Sequence, residues 1–401
     1  MRGRLGECGG NDINAGYNGR EGRGLTPEVR ILLFLSRFEP DEDVVREAAT
    51  LAGGAEEVDW KRFLRLVAVH QVYPLVAENL RRFQQAGNTV PREVRVALTG
   101  MRLANSLRAL ALKEEALRVL TFLEDAGVRA FPYKGPLLAE RLYGNAALRH
   151  ADDIDVLVPK EEWTAAKEVL QLYGYRPVEK VGVNRRRYAI SFVRVEGTKS
   201  FHLELHYDVE LPYFGYRLEP LLSTVFEGSR EAEFLLLCLH AVRHRELLLK
   251  WLCDLDAYLR FSCLDGGELL ALAQRCRAVG ALRCALEAVA CTYNSDVNRY
   301  LGEFRVTGRR MPRLWRVPGL SWPSLAALWW AKFRMVDGGA LRQAGLLLRR
   351  LAEPAPREDR ATWLPPLLAW AYPLCRVVRE WRRATASEAK LHEVDERAAV
   401  R

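Results

Sequence analysis

The chain has no Cys-x-x-Cys pair, no internal repeat and no apolar run reaching the ~18 residues of a membrane span. It also lacks an apolar h-region near its start, so the Gly-, Arg- and Asn-rich residues 1–24 read as a disordered tail and not as a signal peptide. Without paired cysteine motifs, the eight cysteines do not suggest a disulfide framework. Cys238, Cys253, Cys263, Cys276, Cys284 and Cys291 fall in or beside apolar stretches and read as small buried hydrophobes in a reducing compartment. These absences together predict a cytoplasmic protein with no transmembrane segment.

The chain has 401 residues, enough for two or three domains, and 49% hydrophobic residues can supply a core along most of it. Sixty Lys and Arg against 51 Asp and Glu give a net charge of +9. A basic surface suits polyanions such as nucleoside triphosphates, nucleic acid or a membrane face. Much of the excess is arginine scattered over helical patterns, so a solvated basic surface is the simpler reading. A nucleic-acid-associated module remains an alternative.

Apolar spacing divides the chain. Residues 25–127 read as helical. Thr26-Pro27 marks a helix start, Val58 to Phe83 carries a second pattern, and Arg92 to Ala126 a third. On that third helix Leu103, Leu107, Leu110, Leu117 and Leu120 are the expected buried stripe, and Gly127 the stop. Residues 128–212 form a small α/β unit. It has a short strand from Val128 to Tyr133, a helix from Pro136 to Tyr143 and a strand from Asp152 to Val158. A helix from Glu161 to Tyr173 follows, then a hairpin from Tyr188 to Val209 turning at Glu196-Gly197-Thr198. Residues 213–296 return to helix, punctuated by Gly266-Gly267 and Gly280. Residues 297–401 are a basic, Trp- and Pro-rich helical region. Within it Leu364 to Arg383 fits either a helix docked on the body or peripheral contact with a membrane interface. The fold class expected is α+β, a small mixed sheet flanked by N- and C-terminal helical regions.

The most informative stretch is ADDIDVLV. Side chains alternate along a strand, so Asp153 and Asp155 share one face while Ile154, Val156 and Val158 pack on the other. Two adjacent carboxylates repel unless a cation sits between them, and such a pair suits Mg²⁺ on a nucleotide phosphate. FHLELHYDVE repeats the pattern, with Phe201, Leu203 and Leu205 alternating with His202, Glu204 and His206. In one sheet with the aspartates, Glu204 supplies a third carboxylate, and three carboxylates can hold two divalent ions for phosphoryl transfer. HAVRH, residues 240–244, puts His240 and His244 on one helical face. It lacks the glutamate of a metallopeptidase helix, so the pair reads as structural or substrate-contacting, with Asp254 placed to orient a ring. Arg185-Arg186-Arg187 reads as a solvated charge run or a phosphate contact.

KGPLLAERLYGNAALRHADDIDVLV followed by FHLELHYDVE resembles the nucleotidyltransferases of the DNA polymerase β-like superfamily, and within it a bacterial group of uncharacterised nucleotidyltransferases. The matching residues are Lys134-Gly135, Arg149, Asp153-Ile154-Asp155 and Glu204-Leu205-His206-Tyr207. The segment LLLCLHAVRHRELLLKWLCDLDAYL is similar to that group's helical part, with His240, His244, Trp251 and Asp254 at corresponding places. His70 to Pro74 also matches, and the likeness covers roughly residues 58–295. It implies an enzyme that binds Mg²⁺, two ions by the three-carboxylate count, and an NTP. Such an enzyme transfers a nucleoside monophosphate to a hydroxyl of an acceptor: a small molecule, glycan precursor, protein or RNA. Asp153, Asp155 and Glu204 are then catalytic and metal-binding, and Lys134, Gly135 and Arg149 nucleotide-binding. His206, His240, His244 and Asp254 contact substrate or support the fold. The chain departs from the superfamily at the phosphate turn, where Gly135-Pro136 stands in place of Gly-Ser or Gly-Gly. A catalytically inactive binding protein with the same fold is therefore the second reading.

Overall fold

Thr26 takes the N-cap position of the first helix, without a side-chain capping bond, and Pro27 opens the helix, because the N–H that proline lacks would find no partner there anyway. The computed structural model describes residues 25–52, 58–85, 90–178, 188–209, 215–243, 248–300 and Gly345. The tail before Leu25, Arg185-Arg186-Arg187, His244, and Leu364 to Arg383 lie outside the described residues.

Four helices lead in: α1 (Pro27–Ser36), α2 (Glu42–Ala52), α3 (Trp60–Val69) and α4 (Tyr73–Gln85). The single pattern expected from Val58 to Phe83 is thus two helices. They part at Gln71, whose φ of 56° no helix can continue. The long α5 (Arg92–Asp125) ends where expected. Gly127 takes φ 72°, and Val128 N–H reaches back to the Leu123 carbonyl at 2.8 Å.

The face α5 buries is not the expected one. Val94, Leu98, Asn105, Ala109, Leu112, Glu115, Ala116, Val119 and Leu123 point inward. Leu103, Leu107, Leu110 and Leu117 are exposed, and Leu120 is half-buried. Polar anchors decide the rotation. Glu115 accepts from Tyr175 Oη at 2.6 Å and from Arg194 at 2.6 and 2.8 Å. Asn105 donates to the Ala147 carbonyl at 2.8 Å.

The α/β unit follows: β1 (Phe131–Pro132), α6 (Gly135–Tyr143), β2 (Ile154–Leu157), α7 (Trp163–Leu172), β3 (Arg176–Pro177), β4 (Ala189–Glu196) and β5 (Lys199–His206). The strand order is β1-β2-β5-β4-β3. The β2/β5 pair is parallel and the other three pairs are antiparallel. This is the mixed sheet expected, with the hairpin turning at Gly197-Thr198. The flanking strands are shorter than the alternation suggests, and Asp153 sits just before β2 and not within it.

Five helices close the described part: α8 (Glu219–Phe226), α9 (Arg230–Arg243), α10 (Leu249–Phe261), α11 (Gly266–Arg275) and α12 (Val279–Tyr293). Gly266-Gly267 opens α11, and Gly280, the second residue of α12, lies at the break between the two helices, as expected. Cys238, Cys253, Cys276 and Cys284 are buried, as expected, and Cys291 is half-buried. No helix among the described residues is long and apolar enough to cross a membrane.

Two cores sandwich the sheet. On one face Ile154, Val156, Val158, Leu203 and Leu205 pack with α5 and α7. On the other, Tyr133, Leu138 and Leu157 join the large helical cluster. Each fully buried aliphatic residue stabilises the fold by about 1.5–3 kcal/mol. The aliphatic residues of β2 and β5 therefore offset the several kcal/mol that burying a charged carboxylate between the layers costs.

Candidate active site

The strand pairing builds the site. Asp155 stands opposite Glu204 in the parallel β2/β5 ladder, as Ile154 stands opposite Leu203. Because side chains alternate, Asp155, Glu204 and His206 all leave the sheet on the face away from Ile154, Leu203 and Leu205. Asp155 Oδ1 lies 3.0 Å from His206 Nε2, and Glu204 Oε2 lies 3.7 Å from the same nitrogen. Donor atoms of Asp155, Glu204 and His206 all fall within 4.8 Å of one another. His206 was expected to contact substrate or support the fold, and it belongs to the acid cluster itself. Its signal in the sequence is its place two residues beyond Glu204.

Asp153 flanks this cluster at the mouth of β2, half-buried. Lys134 fills the gap between the chain entering α6 and the strand. Its Nζ lies 2.9 Å from Asp155 Oδ1 and 4.9 Å from the centre of the Tyr133 ring. Gly135 follows with φ 72°, and a Cβ there would stand 3.2 Å from the Asp153 carbonyl oxygen. The Lys-Gly pair is thus tied to both aspartates, with the lysine on one side chain and the glycine against the other's backbone.

The electrostatics split the pair. Burial would raise the Asp155 carboxyl, but Lys134 and a hydrogen bond from His206 outweigh it and hold it below the usual carboxylate range. Asp153 goes the other way. Burial, then the charge of Asp155, pushes it up to about 6 against the pull of Lys134, and Glu204 adds to the rise. The site carries more negative charge than Lys134 neutralises.

Arg149, expected beside phosphate, is placed differently. It is only 6% exposed, and its Nε donates to Asp254 at 2.9 and 3.0 Å. Contact with a bound phosphate would require that pair to open. Asp254, expected to orient a histidine ring, holds Arg149 and accepts from Tyr143 Oη at 2.8 Å. His240 packs edge-on against Tyr133 at 5.9 Å and Trp251 at 5.3 Å, just behind Lys134. His244 lies outside the described residues.

Two features escaped the sequence. His150 joins Tyr73 Oη at 2.6 Å through Nδ1 and Asp152 at 2.8 Å through Nε2, while Arg108 pairs with the same aspartate. Lys250, one helical turn before Asp254, lies near Asp152 and Asp153. Burial, then Arg149, pushes its ammonium down to about 8, with the carboxylates opposing. The i,i+4 spacing to Asp254 was the available signal for it.

The donors fit a hard divalent cation. Two carboxylates and an imidazole converge, a third carboxyl stands at the mouth of β2, and the imidazole nitrogen already holds Asp155 in place. Asp155, Glu204 and His206 would hold such an ion, with Asp153 flanking them at the mouth of β2.

A family model described as an uncharacterised nucleotidyltransferase matches residues 56–294. No curated protein and no solved structure matches the chain.

Proposed function

Since the chain belongs to the uncharacterised nucleotidyltransferase family, we propose that it is a Mg²⁺-dependent enzyme that transfers a nucleoside monophosphate from an NTP to an acceptor hydroxyl. The observation that carries this reading is the register of Asp155 opposite Glu204, with His206 closing the cluster. Two acids facing each other across one ladder, with a third at its mouth and a single lysine among them, leave negative charge that a structural ion pair would not.

Asp153, Asp155 and Glu204 would hold the metal, and three carboxylates favour two ions. Bound Mg²⁺ would neutralise phosphate charge and stabilise the charge that develops as the α-phosphoryl group is transferred. The chain's own residues do the rest. His206 fixes the rotamer of Asp155 from within the sheet. Lys134 lies beside Asp155 and would supply positive charge to a β- or γ-phosphate oxygen. Gly135 lets the backbone pass close to Asp153, which keeps the phosphate turn and the metal site in contact. Pro136 lacks an N–H, so charge from Lys134 and Lys250 takes the larger share of phosphate binding. Glu204, the most exposed acid of the cluster at 37%, would accept the acceptor's proton. The acceptor would enter over the helical side, where Asp152, His150 and Lys250 line the approach to Asp153.

Mg²⁺-dependent binding and turnover of each labelled NTP, compared between wild type and Asp155→Asn, test the reading. A loss of at least about 100-fold in turnover is expected. Equal NTP binding by the two proteins, with no aspartate-dependent turnover on any acceptor, would overturn it. One observation favours a second reading: Lys134 already occupies the cation position on Asp155. A protein that holds a nucleotide without transferring it would bind Mg-NTP yet yield no pyrophosphate, and aspartate-dependent product would sink that alternative.

A further inference from the structure

We propose that the outer face of α5 pairs in antiparallel register with the same face of a second copy of this chain. Val96, Leu103, Leu110 and Leu117 repeat every seven residues along α5, and Leu107 fills the middle of the row. They are 63, 61, 56, 49 and 65% exposed in that order. A seven-residue apolar repeat on one helix face is the seam of helix-on-helix packing, because it keeps one stripe aligned with a neighbouring helix. The row runs roughly 30 Å at 1.5 Å per residue. It leaves on the order of 500 Å² of apolar surface open, near the upper end of what monomers tolerate. Scattered exposed leucines need no explanation, but a periodic row does.

The partner's identity follows from charge. The N-terminal half of α5 carries Arg92, Arg95, Arg102 and Arg108 against Glu93, a net +3. Leaving out Glu115, which is buried against Arg194, the C-terminal half carries Glu114, Glu124 and Asp125 against Lys113 and Arg118, a net −1. A parallel pair would set like halves together. An antiparallel pair sets each basic half on the other's acidic half and is self-complementary, as a two-fold interface requires. The row is centred on Leu107, so the two-fold axis falls there. Val96 then packs near the partner's Leu117, and Leu103 near the partner's Leu110. A hollow lined by Arg92, Arg95, Val96 and Thr99 sits at the basic end of the row, beside the partner's acidic helix end. The two stripes bury about 1,000 Å² between them, and with their charged rims reach the 1,200–2,000 Å² of a specific interface.

Sedimentation velocity on the full chain tests the pairing. Wild type should be a dimer at tens of micromolar, and Leu103→Glu/Leu110→Glu a monomer with unchanged circular dichroism, since both side chains are exposed. Orientation is read by mixing Val96→Cys chains with Leu117→Cys chains under mild oxidation, with wild type as background. The mixed disulfide pair is expected to dominate. Three results would overturn the proposal: a wild-type monomer at about 100 µM, well above what an interface of this size needs; a dimer that survives the double glutamate variant; or Val96→Cys linking chiefly to itself.

Discussion

Asp153 carries the least well compensated charge of the site. Its carboxyl is pushed up to about 6 by burial and by Asp155, whereas the ordinary value is 3.8. A carboxyl raised in the folded state binds its proton more tightly there. Its contribution to stability is therefore present below the ordinary carboxylate range and is lost as pH rises through about 6. Asp155 has the opposite sign: its share is present above its unfolded value and lost only in acid. Of the two aspartates, only Asp153 therefore changes state between about pH 5 and pH 7.5, and a divalent cation must compete with its proton. Apparent Mg²⁺ affinity should rise roughly tenfold across that window. The melting-temperature gain from Mg²⁺ should be larger at the higher pH. Asp153→Asn should flatten both trends and raise the metal-free melting temperature at about pH 7.5. Differential scanning fluorimetry with and without Mg²⁺ reads each of these without any turnover. A Mg²⁺ gain independent of pH would remove Asp153 from the metal site.

At the scale of elements, the link between α6 and β2 sets the site's geometry. Gly135 opens α6 at φ 72°, within van der Waals reach of the Asp153 carbonyl. A left-handed backbone conformation costs a residue with a side chain about 1–2 kcal/mol. Gly135→Ala should lower stability by about that amount and push the start of β2 away from α6. Urea melts measure the first effect and Mg²⁺ titration the second, with affinity falling severalfold. A variant with wild-type stability and metal affinity would show that the turn does not position Asp153. The alternation in ADDIDVLV and FHLELHYDVE was enough to place Asp155 and Glu204 on one face, because strand periodicity fixes side-chain direction regardless of tertiary context. The buried face of α5 was not legible. That helix has apolar residues on two sides, and the choice between them rests on Glu115 meeting Tyr175 and Arg194, contacts 60 and 79 residues away in sequence. Lys250 and the Tyr73–His150–Asp152 chain escaped for the same reason, since each acquires its meaning only when distant segments meet.

Across the whole molecule, one buried ion pair fastens the sheet unit to the helices that follow it. Arg149 leaves the loop before β2 and Asp254 lies in the middle of α10, with side chains 6 and 3% exposed. Tyr143 Oη from α6 donates to the same aspartate, so three segments converge on one carboxylate. The large hydrophobic cluster crosses the same seam, holding Val29 and Leu98, Tyr133 and Leu157, and Leu235 and Leu252 together. Removing one member of a buried pair leaves the other charge uncompensated, so Arg149→Ala should cost about 3–5 kcal/mol. Replacing both charges with hydrophobes of similar volume removes that penalty, and Arg149→Met/Asp254→Leu should recover most of the loss. Recovery should stop short of wild type by about 1–3 kcal/mol, because Tyr143 Oη is left buried without its acceptor. Adding Tyr143→Phe to the double variant should close that remaining gap. Denaturant melts of the four proteins separate the terms. If Arg149→Ala lost less than about 1 kcal/mol, the typical worth of an exposed pair, the arginine would be free to swing toward a bound phosphate, and its role would return to the nucleotide side of the site.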